Sequence, residues 1–139
     1  MGTRSLTFVY DTYDNKNYKI INMYRQYDGY PSGHGAELSE FLQDRIIVNG
    51  IGGGETRKIS NGMGCLSASL VANFKDEAGG FYLYPVTMTD CGQDYEYHIY
   101  NNRVKVVEMH WSPEKKKSIG KTIFNGDWNA FKVFVDNAE

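Results

Sequence analysis

Apolar and polar residues alternate near the start of the chain with the period of β-strands. The segments SLTFVY (Ser5 to Tyr10) and YKIINMY (Tyr18 to Tyr24) are rich in β-branched and aromatic residues, and the polar segment DTYDNKN separates them. Two such runs around a polar turn are typical of paired strands. The pattern therefore predicts an N-terminal β-hairpin.

The apolar period changes to that of a helix after residue 35. Apolar side chains recur every three or four positions, at Leu38, Phe41, Leu42 and Ile46. Acidic residues stand at the front of this segment, where they suit the positive end of a helix dipole. The spacing predicts a helix from about Ala36 to Ile46, and a glycine-broken loop, VNGIGGGETRKISNGMG, follows it.

A second helical stripe lies beyond this loop. Its apolar members are Leu66, Leu70 and Phe74. The spacing predicts a helix from about Cys65 to Asp76. The glycine pair at positions 79 and 80 is expected to end it, because glycine readily adopts the backbone conformation that follows a helix.

The second half of the chain is predicted to be mostly sheet. Three β-rich segments follow one another: FYLYPVTM, YEYHIYN and RVKVVEMHW. Because Asn101 and Asn102 form a short turn between the last two, an antiparallel meander is the natural arrangement. Pro85 would interrupt a central ladder of hydrogen bonds, so its strand is expected near a sheet edge or at a bulge.

The C-terminal segments predict one more strand, KTIFNG, and a short helix in DWNAFKVFV. In that helix Trp128, Phe131 and Val135 would pack inward; a strand is the alternative, because valine also suits β structure. Together these elements predict a single α+β domain over residues 1–139. Its antiparallel sheet, built from a hairpin and a meander, packs with two or three α-helices.

Charge and composition narrow the classes of partner. The chain has 139 residues and a formal net charge of −2. This charge argues against a DNA or RNA polymer, whose phosphates call for a basic surface. No apolar run approaches the length of about 18 residues that spans a membrane, so neither membrane insertion nor secretion is indicated and the cytoplasm is the expected location. Two cysteines and three separated histidines form no metal-binding pattern, and no cofactor is expected.

The segment YRQYDGYPSGHG, residues 24–35, combines aromatic side chains with helix-breaking residues. It is too broken for a helix or a central strand, yet too aromatic for an ordinary solvated loop. Its tyrosines either fill a neighbouring core or contact a ligand. The candidates for ligand contact are Arg25, Tyr27, Tyr30 and His34, with Asp28 placed to position the arginine.

The glycine-rich segment GIGGGETRK invites comparison with phosphate-binding loops, but it lacks the order of glycines and lysine that defines a P-loop. Three consecutive glycines still allow several backbone N–H groups to point into one concavity, and Arg57 and Lys58 follow at once. This segment could hold a phosphate, with Arg57 as the better ligand. The alternative is a tight corner whose two cations face water.

Aromatic side chains follow both faces of two predicted strands. Phe81 and Leu83 share one face of their strand, opposite Tyr82 and Tyr84. In the next strand Tyr95, Tyr97 and Ile99 lie opposite Glu96, His98 and Tyr100. One aromatic face must line the core, and the other either packs across strands or offers a stacking surface for a base. His98 alternates with residues of exposed type and is predicted to be a surface histidine.

The loop between these strands contains the segment TDCGQD. Asp90 and Asp94 flank it and could accept hydrogen bonds from ribose hydroxyls. The alternative is that the segment forms only a turn.

Four of these segments together resemble a known family. MYRQYDGYPSGHGAELSEFL, a VNGIGGG loop, the helix GCLSASLVANFK and the strand start GGFYLYP are similar to the small phage proteins that counter the Thoeris defence system, the first type of Thoeris anti-defence protein. The resemblance covers about Ser5 to Tyr100, and the segment after it carries little of it.

This resemblance implies a non-catalytic sponge. Proteins of that family capture a cyclic ADP-ribose isomer made by a host TIR-domain enzyme and hold it intact, and they are also linked with capture of cyclic oligonucleotides from the CBASS defence. They form homodimers, which can associate further into homohexamers, with nucleotide sites near subunit contacts.

The resemblance also suggests roles for the candidate residues. Phe81 would stack on the base, and Arg57 and Arg25 would bind the pyrophosphate. Asp90, Asp94 or tyrosines of the 24–35 loop would contact hydroxyl groups. Two other functions stay open: an enzyme that degrades the same signal, with His34, His98 or Asp94 as acid or base, and a phage protein-interaction module whose aromatic loop docks another protein.

Overall fold

A computed structural model of the chain describes residues 2–50 and 58–138. Its strands are β1 (Ser5–Tyr13), β2 (Lys16–Arg25), β3 (Ile46–Val48), β4 (Ile59–Asn61), β5 (Phe81–Tyr84), β6 (Tyr95–Tyr100), β7 (Arg103–Ser112) and β8 (Lys117–Gly126). Its α-helices are α1 (Ala36–Leu42), α2 (Gly62–Phe74) and α3 (Trp128–Asp136), and a π-helical turn, Pro31–Gly35, leads directly into α1. The predicted α+β class is confirmed.

The main sheet has six strands in the order β5-β2-β1-β6-β7-β8. Every neighbouring pair is antiparallel except β1 and β6, which pair in parallel at the centre. A parallel pair needs a crossover connection, and the long segment between β2 and β6 supplies it. A second, two-stranded sheet pairs β3, at the end of the segment predicted to be the first helix, in parallel with β4, inside the segment predicted to be only a glycine-broken loop.

The predicted meander is partly wrong. It does run through β6, β7 and β8, with the expected turn at Asn101 and Asn102, but β5 is not next to β6. Instead β5 is the edge strand beside β2, which agrees with the edge position expected from Pro85. The connection from β5 to β6 therefore passes β2 and β1, and the Asn22 side-chain amide holds it by donating to the carbonyl oxygens of Pro85 (3.1 Å) and Met88 (2.7 Å).

The N-terminal hairpin is longer than predicted. Most of the polar DTYDNKN segment belongs to the strands, and the turn consists of Asp14 and Asn15, with φ angles of 53° and 59°. Such left-handed pairs match the twist of a two-residue hairpin, and Asn and Asp tolerate them better than most residues.

Helix α1 is shorter than predicted. It ends at Leu42, and the chain turns through Asp44, whose φ is 59°, into β3. Leu38, Phe41 and Leu42 are buried as the apolar stripe indicates, whereas Ile46 is 59% exposed. Ile46 matches the helical spacing of α1 only by coincidence, because it is the first residue of β3.

Helix α2 begins three residues earlier than predicted and ends two residues earlier. Gly62, with a φ of 82°, lets the chain leave β4 and enter the helix at once. Leu66, Leu70 and Phe74 are buried, so the predicted stripe is confirmed. The helix ends before the glycine pair because Lys75 is already extended.

Helix α3 confirms the helical alternative for the C-terminal segment. Trp128, Phe131 and Val135 are buried, and the carboxylate of Asp127 caps the first turn by accepting from the Ala130 backbone N–H at 2.7 Å. None of the helices in the described ranges is long and apolar enough to cross a membrane.

The helices cover one face of the main sheet. The core between them contains Val9, Met23, Tyr97, Ile99, Val104 and Val106 from the sheet and Leu38, Leu42, Leu66, Leu70, Phe131 and Val135 from the helices. The opposite face has a smaller cluster of its own, Leu6, Phe8, Tyr10 and Tyr24, with Tyr84, Cys91 and Tyr100 packed against it. Both faces therefore carry buried aromatic side chains, in agreement with the alternation in the sequence.

Candidate ligand-binding cleft

A cleft of about 420 Å³ opens between α1, α2 and the end of the sheet where β2 meets β5. Its charged lining residues are Arg25, Arg45 and Lys58 together with Glu37, Glu40 and Asp76, and its aromatic ones are Phe41, Phe74 and Phe81. Cations, carboxylates and aromatic rings thus meet in one concavity. Of the predicted ligand contacts, Arg25 and Phe81 belong to this lining.

Arg25 is the most constrained cation of the cleft. It is the last residue of β2 and pairs with Phe81 of β5, so that its guanidinium lies 4.8 Å from the centre of the Phe81 ring. Its Nε donates to the backbone oxygen of Tyr27 at 2.6 Å, and its Nη1 contacts Nδ1 of His34 at 3.2 Å and the carboxylate of Glu37. These bonds engage Nε and Nη1, and among the described residues the two Nη2 hydrogens are left for other acceptors.

His34 supports Arg25 from inside the protein. The ring is fully buried, packs edge-on against Tyr97 and lies 2.7 Å, at Nε2, from the hydroxyl oxygen of Thr7. Because an arginine can only donate, Nδ1 must be the acceptor and Nε2 carries the proton. Burial, with the nearby Arg25 charge, lowers the pKa of His34 to about 3. The prediction that His34 contacts a ligand directly is therefore wrong.

The rest of the 24–35 loop lies outside the cleft lining. Tyr27 is 54% exposed, and the hydroxyl of Tyr30 donates to the Asp28 carboxylate at 3.3 Å. Gly29 anchors the loop to the rest of the domain. Its N–H donates to the backbone carbonyl of Thr3, and its own carbonyl accepts from the Tyr97 hydroxyl at 2.7 Å. Glu37, and not Asp28, makes the side-chain contact that positions Arg25.

Arg45 is a cleft residue that the sequence did not indicate. It follows α1, and its guanidinium lies 4.1 Å from the centre of the Phe41 ring, with bonds to the Phe41 carbonyl (3.2 Å) and the Ser60 hydroxyl (3.3 Å). The spacing of four residues from Phe41 is the one signal that could have found it. Lys58, exposed, faces the same cleft. The predicted phosphate ligand Arg57 precedes it and lies outside the described residues.

The two aspartates proposed for hydroxyl contacts lie elsewhere. The Asp94 carboxylate accepts from the backbone N–H of Arg4 at 3.0 Å, and Asp94 lines a separate depression with Tyr95 and Glu108. Asp90 accepts from the Gly92 N–H at 3.3 Å inside its own turn. These contacts agree with the turn that the sequence offered as the alternative.

His98 is not the surface histidine that its neighbours in sequence indicate. It is buried on the sheet face opposite the helices, with Nδ1 2.6 Å from the Tyr10 hydroxyl and Nε2 3.0 Å from Glu96. Burial acts to raise the pKa of Glu96, but hydrogen bonds from His98 and Gln93 outweigh it and leave the pKa lowered. The rings of Tyr10 and Tyr100 stack beside this chain of polar groups, with their centroids 4.5 Å apart.

The described residues contain no group of three or more His, Cys, Asp or Glu side chains that could hold a metal ion. Comparisons of the chain with protein-family models, with curated proteins and with solved structures find no match. The resemblance to Thoeris anti-defence proteins therefore stays a prediction, and any function has to be argued from the cleft itself.

Proposed function

We propose that this chain is a binding protein that captures a cyclic nucleotide signal, such as a cyclic ADP-ribose isomer, and holds it without cleaving it. The site is the cleft between α1, α2 and β5. The observation that carries the proposal is that two arginines lie over aromatic rings in one cleft, Arg25 over Phe81 and Arg45 over Phe41. Planar cations held in this way present a donor edge to phosphate and a flat face to a base.

The charges of the cleft favour a nucleotide over a bare phosphate. Among the described residues, three cations share it with three carboxylates, of which Glu37 is already paired with Arg25. Carboxylates repel phosphate but accept hydrogen bonds from ribose hydroxyls and base amino groups. A ligand that carries phosphates, sugar hydroxyls and a base can use both kinds of group. The Nη2 donors of Arg25 and the ammonium of Lys58 would bind its phosphates.

The proposal includes self-association in the cytoplasm of an infected bacterium, as homodimers that can assemble into homohexamers. The edge strand β5 supports it, since Tyr82 and Leu83 are exposed beside the cleft residue Phe81. An unpaired edge with apolar side chains is a ready surface for a second subunit. Native mass spectrometry should find dimers or hexamers, and a Leu83→Arg variant should shift them toward monomers. A wild-type protein that is monomeric at all concentrations would contradict this part.

Capture without cleavage is tested by recovery of the ligand. The full chain is incubated with an equimolar cyclic ADP-ribose isomer, separated from free ligand, denatured by heat and analysed by mass spectrometry. We expect intact ligand in the denatured fraction. Turnover of ligand by protein in large deficit would instead support an enzyme that degrades the signal, and retention of no small molecule would leave a protein-interaction module as the better hypothesis.

Lys58→Ala is the sharpest variant for the cleft, because Lys58 is exposed and its loss should not disturb the core. We expect ligand affinity to fall by about tenfold, since a charge-assisted contact to phosphate is lost. Lys121→Ala, an exposed lysine of β8, is the matched control. Arg25 is a poorer first choice because it also holds the buried His34. Equal affinities of the two lysine variants, measured by calorimetry, would place the ligand outside this cleft.

A further inference from the structure

A second depression lies on the opposite face of the sheet, away from the helices. It has a volume of about 410 Å³ and is bordered by the β1-β2 hairpin and by β6, β7 and β8. Its lining residues include Thr12, Asn17, Tyr100, Arg103, Lys105 and Asn125. Among the residues that the structure describes, two of its side chains are cations and none is a carboxylate. In a chain with a net charge of −2 this is a local positive patch.

Two hydrogen bonds around this depression end on the carbonyl oxygens of side-chain amides. Arg103 can only donate, so its 3.1 Å bond from Nε to Asn125 ends on the carbonyl oxygen of the amide. The Thr12 hydroxyl donates in the same way to the carbonyl oxygen of Asn17 at 2.7 Å. Both asparagines are therefore left with their NH₂ groups, Arg103 with its terminal nitrogens and Lys105 with its ammonium. The polar side chains around the depression present mainly donors.

The aromatic wall of the depression is held rigidly. Tyr100 stacks on Tyr10 with an angle of 11° between the rings, and Tyr10 is bonded through His98 to Glu96. A site whose groups are already fixed loses little entropy when it binds a ligand. The chain of buried polar groups behind Tyr100 therefore serves to position this wall.

We propose that the depression is a binding site for a phosphate monoester, either as free phosphate or as the phosphate of a sugar. A ligand rich in acceptor oxygens and negatively charged complements a site of two cations and two amide NH₂ groups. This site is separate from the cleft that holds Arg25 and Arg45, and it does not depend on the function proposed for that cleft. Arg103 and Lys105 bind the phosphate oxygens, and the ring of Tyr100 packs against the remainder of the ligand.

The test titrates the full chain, labelled with nitrogen-15, with inorganic phosphate, ribose 5-phosphate and ribose at constant ionic strength. We expect saturable shifts of the backbone amides around Arg103, Lys105 and Asn125 with both phosphates and none with ribose. Tighter binding of ribose 5-phosphate would identify a sugar phosphate as the ligand, and equal binding a free phosphate. If neither phosphate gives saturable shifts at these amides, the proposal is overturned.

Neutral variants separate this site from general attraction of anions. Arg103→Gln and Lys105→Gln should each weaken phosphate binding by about tenfold, because each removes one charged donor. Lys121→Gln, on the same sheet but outside the depression, and Lys115→Gln, in the exposed turn between β7 and β8, should leave it unchanged. Weakening by the same factor in all four variants would mean a diffuse charge effect and would contradict the site.

Discussion

His34 is the residue with the most demanding surroundings. It is fully buried between an arginine that donates to Nδ1 and a threonine that accepts from Nε2. A second ring proton would point directly at the Arg25 guanidinium. The same contacts that orient Arg25 toward the cleft therefore keep the imidazole neutral, and the candidate site is linked to the stability of the domain through one histidine.

The neutral His34 predicts a pH dependence of folding. Its pKa is about 3 in the folded protein, whereas an unfolded histidine titrates near its ordinary value of 6.5. The unfolded state therefore takes up a proton first, and the contribution of His34 to stability is complete above about pH 6.5 and declines as the pH falls toward 3. The slope is about 1.4 kcal/mol per pH unit.

Denaturant titrations between pH 7 and pH 4 measure this effect. His34→Gln should be less stable than the wild type at pH 7, since it leaves imperfect hydrogen bonds, and the difference should shrink as the pH falls because glutamine does not titrate. The other titrating groups change the free energy of unfolding equally in both proteins, so their effects cancel in the difference between wild type and variant. Parallel stability profiles for the two proteins would show that His34 is not held neutral.

At the scale of elements, short polar segments determine where helices and strands end. The Asp14-Asn15 turn sets the register of the N-terminal hairpin, Asp44 turns the chain from α1 into β3, and Asp127 caps the start of α3. Each uses a small polar side chain that tolerates a left-handed backbone or accepts a backbone N–H bond. These positions explain why the helix and strand bounds differ from those expected from apolar periods.

Asp127→Ala tests the cap of α3. The change removes the 2.7 Å bond to the Ala130 N–H, and we expect the free energy of unfolding to fall by about 1 kcal/mol. Asp136→Ala is the control, because Asp136 forms only an exposed ion pair with Lys132. This substitution should lower the free energy of unfolding by less than about 0.5 kcal/mol. Chemical denaturation measures both, and equal losses would argue against a specific capping role.

The whole molecule is built on one six-stranded sheet with a core on each face. The helical face contains the larger cluster, and the face with Leu6, Phe8, Tyr10 and Tyr24 contains the smaller one. Since the same strands contribute to both clusters, loss of packing in one cluster should destabilise the other. The two candidate binding sites lie on opposite sides of this shared sheet and so can be altered separately.

Leu70→Ala and Leu6→Ala test whether both cores belong to one folding unit. Each side chain is fully buried, one on each face, so each truncation should cost about 2–5 kcal/mol. We expect a single cooperative transition in both variants, with coincident midpoints by fluorescence and circular dichroism. Leu83→Ala, which removes a side chain that is 56% exposed, should change stability far less. Separate transitions in either core variant would show independent units.

Much of the fold follows from local sequence patterns. The α+β class, the N-terminal hairpin, the buried stripes of α1, α2 and α3, and the two-faced aromatic strands are all visible as periods of two or three to four residues, because each face of a strand or helix meets either core or water. Because proline lacks a backbone N–H, Pro85 also indicated the edge position of the strand that it follows. Arg25 and Phe81, two of the predicted ligand contacts, lie side by side in the cleft, but their roles in binding stay predictions, as does that of Arg57.

Long-range pairing decided the rest. No local pattern shows that β1 pairs in parallel with β6, that β5 crosses to the far edge, or that Arg45 and Lys58 share a cleft with Arg25. Nor could it show that His34 and His98 are buried, because a polar residue is driven inward only where distant partners, Thr7 and Arg25 in one case and Tyr10 in the other, satisfy its hydrogen bonds. Periodicity along the chain determined the elements and their buried faces; the tertiary structure alone decided which polar groups meet, since that depends on residues far apart in the chain.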